Sequence, residues 1–473
     1  MKDGWEMVIG LEVHTELRTT TKLFCHCRNA FGATPNTLIC PVCLGLPGSL
    51  PVLNKFAVEL AARIGAALNC TVQDSLFHRK NYFYPDMPKD YQISQYDLPI
   101  NADGWLDLPA GKRIGIVRAH MEEDTGKTTH LGGAGRIHDA SRSLVDYNRS
   151  GVPLVEIVSA PDLSTSDEAR AYVEELRGIL VAVDASDGKL EEGSVRVDAN
   201  VSVRRSGDSK LGTRCEIKNL NSLRSLGRAI DYEADRQVEL LLGGERVVQQ
   251  TRHWNDADGR TQPMRSKEEA FDYRYFPEPD LVPIEPDPKW VAEVAAALPA
   301  LPAARRAAVA TATGAAPTNE PVATVVGLEL DGLLLAAVDA GADGALALRR
   351  LANEVAATSS VPKLDDFVAV LGMESRGELT TAQAREVLKQ MLESGEAPAA
   401  VTARLGYEAL GEGELDQAIE AVIAGNPGEW ARYQGGDERL TGFFIGKLKA
   451  ATGGKADLKR ASEELRRRAQ ATG

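Results

Sequence analysis

The chain has 473 residues, a length that accommodates two to four domains at roughly 100–200 residues per domain. Hydrophobic residues make up 43% and charged residues 26%, which excludes a disordered or collagen-like chain. The formal net charge of -14 excludes a general nucleic-acid binder, because phosphate binding depends on Lys and Arg, so any RNA contact must come from a local basic patch or a partner chain. With no run of about 18 apolar residues and no apolar leader, we expect no membrane span and a cytoplasmic protein.

Three segments of the first half alternate between apolar and polar side chains, which is the period of a half-buried strand. The predicted strands span residues 5–17, 195–203 and 213–219. Their polar faces carry Glu12 and His14 on the first strand, Asp198 on the second and Glu216 on the third. The alternative for any one of these strands is an ordinary solvated face.

Helical spacing of apolar residues predicts three helices in the same half. They begin near Asn54, after Thr165 and at about Leu223. Glu168 completes a capping box with Thr165. Since strands and helices do not follow a regular βαβ rhythm, we predict an α+β fold with an antiparallel sheet.

The last third of the chain is predicted to be helical. Five prolines between residues 277 and 288 predict a connector, and all six cysteines and seven histidines precede residue 254. The helices are predicted over 291–298, 305–313, 332–338, 345–357, 364–371, 381–392, 415–424 and 443–451, with a final helix to the end. The predicted domains are 1–290, 291–405 and 406–473. Residues 441–473 carry eight basic and three acidic residues, which favours chemistry in the first domain and docking in the last.

Four cysteines have the spacing of a metal site. Cys25 and Cys27 are followed, after 12 residues, by Cys40 and Cys43. Two such pairs can surround zinc with four thiolates and leave no open position, which is the pattern of a structural site. The alternative is four unrelated buried cysteines. Cys70 and Cys215 are isolated and are predicted to be core residues.

Acidic strand residues predict a second kind of cation site. Glu156 interrupts the apolar run 152–158, where an unpaired charge is costly. Several carboxylates on one sheet, together with Glu12 and His14, would repel each other unless a divalent cation or basic groups bind them. Oxygen ligands with retained water suit magnesium and its phosphates. The basic side chains Lys80, Lys89 and Arg149 could neutralise phosphate oxygens; the aromatic run beside Lys80 could equally be core.

A glycine loop for nucleotide binding is not found. Gly126, Lys127 and Thr128 look like the end of a P-loop, but Met121 stands where that motif requires glycine. A nucleotide would therefore be bound through a metal and side chains.

Six motifs together resemble one family. They are VIGLEVH (8–14), RKNYFYPD (79–86), HMEED (120–124), EGSVRVDAN (192–200), EIKNLNS (216–222) and DYRYFPEPD (272–280). The chain closely resembles the B subunits of bacterial aspartyl/glutamyl-tRNA(Asn/Gln) amidotransferases, the GatB proteins of GatCAB complexes, over essentially its whole length. The resemblance implies a catalytic cradle similar to glutamine synthetase and guanido kinases, and a tail domain that docks tRNA.

The resemblance also implies a reaction. ATP phosphorylates the side-chain carboxylate of Asp-tRNA(Asn) or Glu-tRNA(Gln), and ammonia then attacks the acyl phosphate, with magnesium neutralising the transferring group. No glutaminase machinery is recognisable, so ammonia would come from an amidase-type glutaminase, the family's A subunit, in a heterotrimer with a small C subunit. Which tRNA is physiological, and whether a non-discriminating aminoacyl-tRNA synthetase docks, stay open.

Carried over to this sequence, the family's functional residues fall on the positions already noted. Glu12, His14 and Glu156 match metal ligands, as does either Glu122 or Glu123. Lys80 and Lys89 match positions near the ammonia route and active site, and Asp198 and Glu216 are weaker candidates. Two other functions compete: a non-catalytic zinc-containing tRNA scaffold, and a free-standing ammonia-using ligase acting on a small carboxylic acid.

Overall fold

The structure is a computed structural model that describes residues 2–132, 140–264, 273–407, 412–452, 456 and 458–470. The chain divides into two compact units, Met1–Ala303 and Ala304–Gly473. The predicted positive tail, residues 441–473, lies only partly within the described residues, and so does the 272–280 motif.

The first unit is built around a large sheet. Its described strands are β1 (Trp5–Glu16), β2 (Thr71–Val72), β3 (Phe77–Asn81), β4 (Tyr91–Gln95), β5 (Asn101–Asp107), β6 (Arg113–Glu123), β7 (Lys127–Leu131), β8 (Arg142–Asp146), β9 (Pro153–Ser159), β10 (Val195–Arg205), β11 (Cys215–Leu220), β12 (Thr251–Asn255), β13 (Arg260–Pro263) and β14 (Phe276–Pro277). Twelve of these described strands form one sheet in the order β13-β12-β11-β10-β1-β9-β6-β4-β3-β14, with β5 and β2 branching from β6. The remaining two, β7 and β8, form a separate hairpin.

Antiparallel pairing dominates this sheet, as predicted. Among the described strands the exception is the parallel pair of β11 and β12. The alternation of the first strand is confirmed: Ile9, Leu11 and Val13 are buried, whereas Glu12 and His14 are half-buried on the other face. The α+β class with an antiparallel sheet is therefore confirmed.

Helices cover one face of this sheet. They are α1 (Lys55–Ala67), α2 (Ser166–Ala182) and α3 (Leu223–Leu242), in agreement with the three predicted helices. Helix α1 contacts β5 and β6, α2 contacts β1, and α3 contacts β10 and β11. Their apolar sides and the buried strand residues form one hydrophobic core. The polar strand residues are thereby left on the opposite face.

Helix caps follow the expected chemistry with one difference. The Asn54 side chain caps α1, and Thr165 Oγ1 accepts from the backbone N–H of Glu168 at 3.1 Å. The Glu168 carboxylate, however, accepts from Ser164 N at 2.7 Å and from Lys112 Nζ at 2.6 Å. The return bond of the predicted capping box therefore goes to Ser164, the residue before the cap, and Lys112 binds the same carboxylate oxygen.

The proline-rich connector is bound to the first unit rather than free. Glu278 N donates to Phe77 O, and Ile284 N donates to Ser75 O. Helix α4 (Pro288–Ala296) follows with proline in its first turn and packs against α1. The predicted boundary at 290/291 falls inside this helix, and the division between the compact units, at 303/304, likewise falls inside a helix, Pro302–Thr313.

The second unit is helical throughout its described residues. Its helices are α5 (Pro302–Thr313), α6 (Glu320–Gly327), α7 (Asp331–Asp339), α8 (Gly344–Arg350), a π-helical turn (Leu351–Val355), α9 (Leu364–Ser375), α10 (Thr381–Ser394), α11 (Pro398–Leu405), α12 (Glu412–Ala424), α13 (Pro427–Gln434), α14 (Leu440–Ala451) and α15 (Leu458–Gln470). One hydrophobic cluster runs from Val309 to Val401 and another from Leu415 to Leu465.

The described helices can be compared with the length and hydropathy that a membrane span requires. None of the helices there is long and apolar enough to cross a bilayer alone. The bent pair α6 and α7, at 106° to each other, passes the length and composition test together.

Candidate functional site

Neighbouring strands bring the predicted acidic residues onto one face of the sheet. Glu12 of β1 lies opposite Asp198 of β10, and His14 lies opposite Glu156 of β9. Glu156 in turn lies opposite His120 of β6. Directly opposed residues of antiparallel strands point to the same side. The register therefore builds a continuous row of polar side chains across the face that the helices leave open.

One part of this row, which we call the His14 group, consists of His14, Glu122 and Glu156. Each contributes a ligand atom, and these atoms lie within 4.8 Å of one another. His14 Nε2 is 3.3 Å from Glu156 Oε2 and 4.0 Å from Glu122 Oε1. Ser94 Oγ donates to Glu122 Oε2 at 3.3 Å. One imidazole and two carboxylates in this arrangement suit a divalent cation.

Protonation in this group is governed by burial and by its like charges. Burial would lower the pKa of His14, but its hydrogen bond to Glu156 and the nearby carboxylates raise that pKa to about 9. Burial and the charge of Glu156 raise the pKa of Glu122. His120 behaves oppositely, since burial lowers its pKa to about 4. Two further cations face the carboxylates: Arg118, whose guanidinium is 3.9 Å from Glu156 Oε1, and Lys80, whose charge acts on Glu122.

A second part of the row, the Glu12 group, consists of Glu12, Asp198 and Glu216, whose oxygens also lie within 4.8 Å of one another. Lys218 Nζ is 2.5 Å from Asp198 Oδ2 and 3.3 Å from Glu216 Oε1. Asn200 Nδ2 donates to Glu12 Oε1 at 2.9 Å. Burial and the neighbouring carboxylates raise the pKa of Glu12. The sequence predicts one acidic cluster, whereas the structure has two groups.

A cationic group lies at the His14 end of the row. Arg196 lies opposite His14 in the register, and its guanidinium is 2.7 Å from Asp124 Oδ2. Arg149 Nε lies 3.5 Å from the same carboxylate oxygen. Burial and the charge of Asp124 raise the pKa of the adjacent Glu16 to about 7. The Asp124 carboxylate thus holds both guanidiniums, and the charge of Glu122 acts on Arg196, which borders the His14 group.

Sequence reasoning missed Arg196, Asn200, Lys218 and His120 as members of the site. The signal was present in the strand alternation, because Arg196, Asp198 and Asn200 share one face of β10. Lys80 was predicted and lies near this row. Burial would lower the pKa of Lys80, but the charges of Glu122 and of nearby tyrosines raise it.

Glu123 does not join the His14 group. Consecutive residues of a strand point to opposite faces, so Glu122 faces His14 and Glu123 faces away. The Glu123 carboxylate instead accepts from Lys89 Nζ and from Ile93 N. Of the two alternatives that the sequence leaves open, Glu122 is therefore the one that lies beside His14 and Glu156. Lys89 lies in the same buried ion pair, with its ammonium 5.1 Å from the ring centroid of Tyr91.

The four predicted cysteines converge. The sulfur atoms of Cys25, Cys27, Cys40 and Cys43 lie within 4.8 Å of one another, and those of Cys40 and Cys43 are 3.9 Å apart. Zn–S bonds of about 2.3 Å in a tetrahedron require sulfur separations of about 3.8 Å. Hydrogen bonding from Cys25 lowers the pKa of Cys43 to about 5. The four thiols thus fit a four-thiolate metal site.

Comparisons with known proteins match both ends of the chain. Residues 7–292 match the family described as the GatB/GatE catalytic domain, and residues 346–468 match the family described as the GatB domain. The aspartyl/glutamyl-tRNA(Asn/Gln) amidotransferase B subunit of Frankia casuarinae is 47% identical, over 96% of this chain and 93% of its own length. The protein of the same name from Carboxydothermus hydrogenoformans is 45% identical over 98% of both chains. The Salinispora arenicola protein is 47% identical over 99% of this chain and 97% of its own. Together with the strand face described above, these matches show that the chain belongs to the GatB family.

Proposed function

We propose that this chain is the phosphorylating and amidating subunit of a tRNA-dependent amidotransferase, a carbon–nitrogen ligase that uses glutamine as its amide donor. A carboxylate oxygen of Asp-tRNA(Asn) or Glu-tRNA(Gln) attacks the γ-phosphorus of ATP, and ADP leaves. Ammonia then attacks the carbonyl carbon of the acyl phosphate, and inorganic phosphate leaves. The two acidic groups on one open sheet face are the observation that carries this proposal.

Different side chains along that face would have different roles in the reaction. The His14 group and the Glu12 group would each hold a divalent cation, with Asn200 orienting the Glu12 carboxylate. Bound magnesium would neutralise charge on the transferring phosphoryl group. Arg149 and Arg196, which share the Asp124 carboxylate, would approach phosphate oxygens, and Lys80 would approach the substrate carboxylate. Carboxylates that are crowded together with raised pKa values, as Glu12 and Glu122 are, are expected where a cation–phosphate substrate binds.

The complex around this chain belongs to the proposal as well. An amidase-type glutaminase would supply ammonia, and a small third protein, the C subunit, would complete a heterotrimer in the cytoplasm. We also propose that the sheet and its helices form a cradle related to glutamine synthetase and guanido kinases, and that residues 291–405 form a helical domain. Residues 406–473 would be a tail domain that docks tRNA. Deleting residues 415–473 should weaken tRNA affinity and leave ATP binding intact; unchanged tRNA affinity would contradict the docking role.

The cysteine site is proposed to hold structural zinc. Elemental analysis should find about one zinc per chain, and Cys40→Ser should lose most of it. Cys70→Ser is the matched control, because Cys70 lies outside the cluster. A fully folded protein that contains no metal would contradict the zinc proposal without touching the amidotransferase assignment.

The central experiment uses the complete complex with misacylated tRNA. His14→Ala and Glu12→Gln should each abolish most ATP cleavage while the glutaminase activity of the partner protein persists. Glu6→Gln is the control on the same strand, since Glu6 is 41% exposed and pairs with Arg204. If amidation survives in both site variants, the site assignment fails. If the acidic residues are dispensable while loss of the tail abolishes activity, the scaffold function is favoured instead.

A further inference from the structure

Tyrosines gather at the β3–β14 edge of the large sheet. The cluster, which we call the tyrosine platform, consists of Tyr82, Tyr84, Tyr96, Tyr273 and Tyr275. Tyr96 stacks on Tyr275 with ring centroids 4.1 Å apart and planes at 10°. Tyr82 stacks on Tyr84 at 4.7 Å and 20°. Tyr273 meets the Tyr275 ring edge-on at 6.1 Å.

The platform is partly open to solvent, with Tyr82, Tyr273 and Tyr275 half-buried. Tyr84 is 47% and Tyr96 48% exposed, and the adjacent Phe83 is 71% exposed. Rings that only support a core are buried on most sides, whereas an exposed aromatic patch beside charged groups typically marks a binding surface. Lys80 adds a cation here, with its ammonium 4.8 Å from the ring centroid of Tyr273.

Strand register connects this platform to the acidic row. Ser94 of β4 lies opposite both His78 of β3 and Glu122 of β6. Phe276 of β14 lies opposite Arg79, so continuing the antiparallel register places Tyr275 across from Lys80. The charges of Glu122 and Glu156 act on Tyr275 and contribute to raising its pKa to about 12, after burial as the larger cause. The platform therefore borders the His14 group, and Lys80 lies between them.

We propose, on the basis of the proposed function, that the tyrosine platform stacks the 3′-terminal adenine of the aminoacyl-tRNA. Only a ribose and an ester separate that base from the amino acid whose carboxylate must reach the His14 group. The base must therefore bind a few bonds from the acidic row, which is where the platform lies. Base–tyrosine stacking is a common means of holding single-stranded nucleic acid. Lys80 is placed to meet the substrate carboxylate.

The adenine of ATP is the competing occupant of these rings. At the other end of the row, a groove of about 440 Å³ adjoins Glu12 and is lined by Asn200, Ser202 and Arg214 among others. Asn200 and Ser202 give this groove a polar wall, and the guanidinium of Arg214 provides a cation near the Glu12 group that could bind a nucleotide. We therefore assign the platform to tRNA.

The test measures binding of uncharged tRNA to the complete complex, with and without the terminal adenosine. Removing this nucleotide should weaken binding to the unmodified complex about tenfold. Tyr96→Leu should weaken binding of intact tRNA by about the same factor. Binding of tRNA to this variant complex should then not change when the terminal adenosine is removed. A Tyr96→Leu complex that keeps the full sensitivity, or one in which the KM for ATP rises while tRNA binding is unchanged, would overturn the proposal.

Two controls separate stacking from general disturbance. Tyr96→Phe keeps the ring and should keep the tenfold sensitivity to the adenosine. Phe31→Leu removes an exposed ring outside the platform and should also keep it. Failure of the proposed function is distinguishable, because it would appear as loss of amidation by the unmodified complex on every misacylated tRNA. Normal amidation with an unaltered response in Tyr96→Leu would refute the platform alone.

Discussion

The sheet face of the first unit and the helical core of the second treat buried charge in opposite ways. In the second unit, Arg350 makes paired hydrogen bonds to Glu374 and lies 3.3 Å from Glu354. On the sheet face, the three carboxylates of the Glu12 group lie together beside the ammonium of Lys218. The first arrangement pairs its charges within the protein, whereas in the second the carboxylates outnumber the ammonium that lies among them, and the pKa of Glu12 is raised. Charge balance thus distinguishes the structural ion pair of the second unit from the candidate cation site on the sheet face.

The largest effect should come from breaking the balanced pair. Arg350→Met removes the buried cation between Glu374 and Glu354, which then retain contacts only with the exposed side chains of Arg349 and Arg385 among the described residues, and the free energy of unfolding should fall by about 3–5 kcal/mol in urea titration. Arg385→Met is the matched control, because Arg385 approaches the same Glu354 while 71% exposed. The control should change stability by less than about 0.5 kcal/mol. If both variants lose the same free energy of unfolding, the buried ion pair contributes no more to stability than the exposed one.

A change on the sheet face should instead separate activity from stability. Glu122→Gln removes a carboxylate whose pKa is raised, which means that the folded protein disfavours its charged form. The free energy of unfolding at neutral pH should therefore stay the same or increase. ATP cleavage in the complex should fall on the order of 10²–10³-fold.

Glu123→Gln provides the control one residue away. It removes the partner of the buried Lys89 and should destabilise the protein by a few kcal/mol. The comparison fails if Glu122→Gln lowers the melting temperature as much as Glu123→Gln does.

The smallest expected effect concerns Lys218, which partly balances the Glu12 group and is 40% exposed. Lys218→Met should lower the free energy of unfolding by about 1 kcal/mol in EDTA. Added Mg²⁺ should raise the melting temperature of this variant more than that of the unmodified protein, because a cation can then replace the ammonium. Lys189→Met is the control, since Lys189 is 44% exposed and pairs with Glu192. An identical response to Mg²⁺ in both variants would argue against a cation site in the Glu12 group.

Much of the fold was predictable because its signals are local. The alternation around Glu12 and His14, the cap at Asn54 and the spacing of Cys40 and Cys43 each arise from neighbouring residues. The end of the first unit was not predictable in this way. Hydrogen bonds from the proline connector to β3 and the packing of α4 on α1 move that boundary past the position that composition suggests.

The sequence by itself determined which side chains point away from the core, because backbone geometry makes strand neighbours alternate. It could not determine which strands lie side by side, since β1 pairs with β9 and β10 across more than a hundred residues of intervening chain. Only that long-range register placed Glu122 rather than Glu123 beside His14, divided the acids into two groups and brought Lys218 and Arg196 among them. The reason is physical: alternation depends on one residue and its neighbours, whereas register depends on how whole apolar faces pack together.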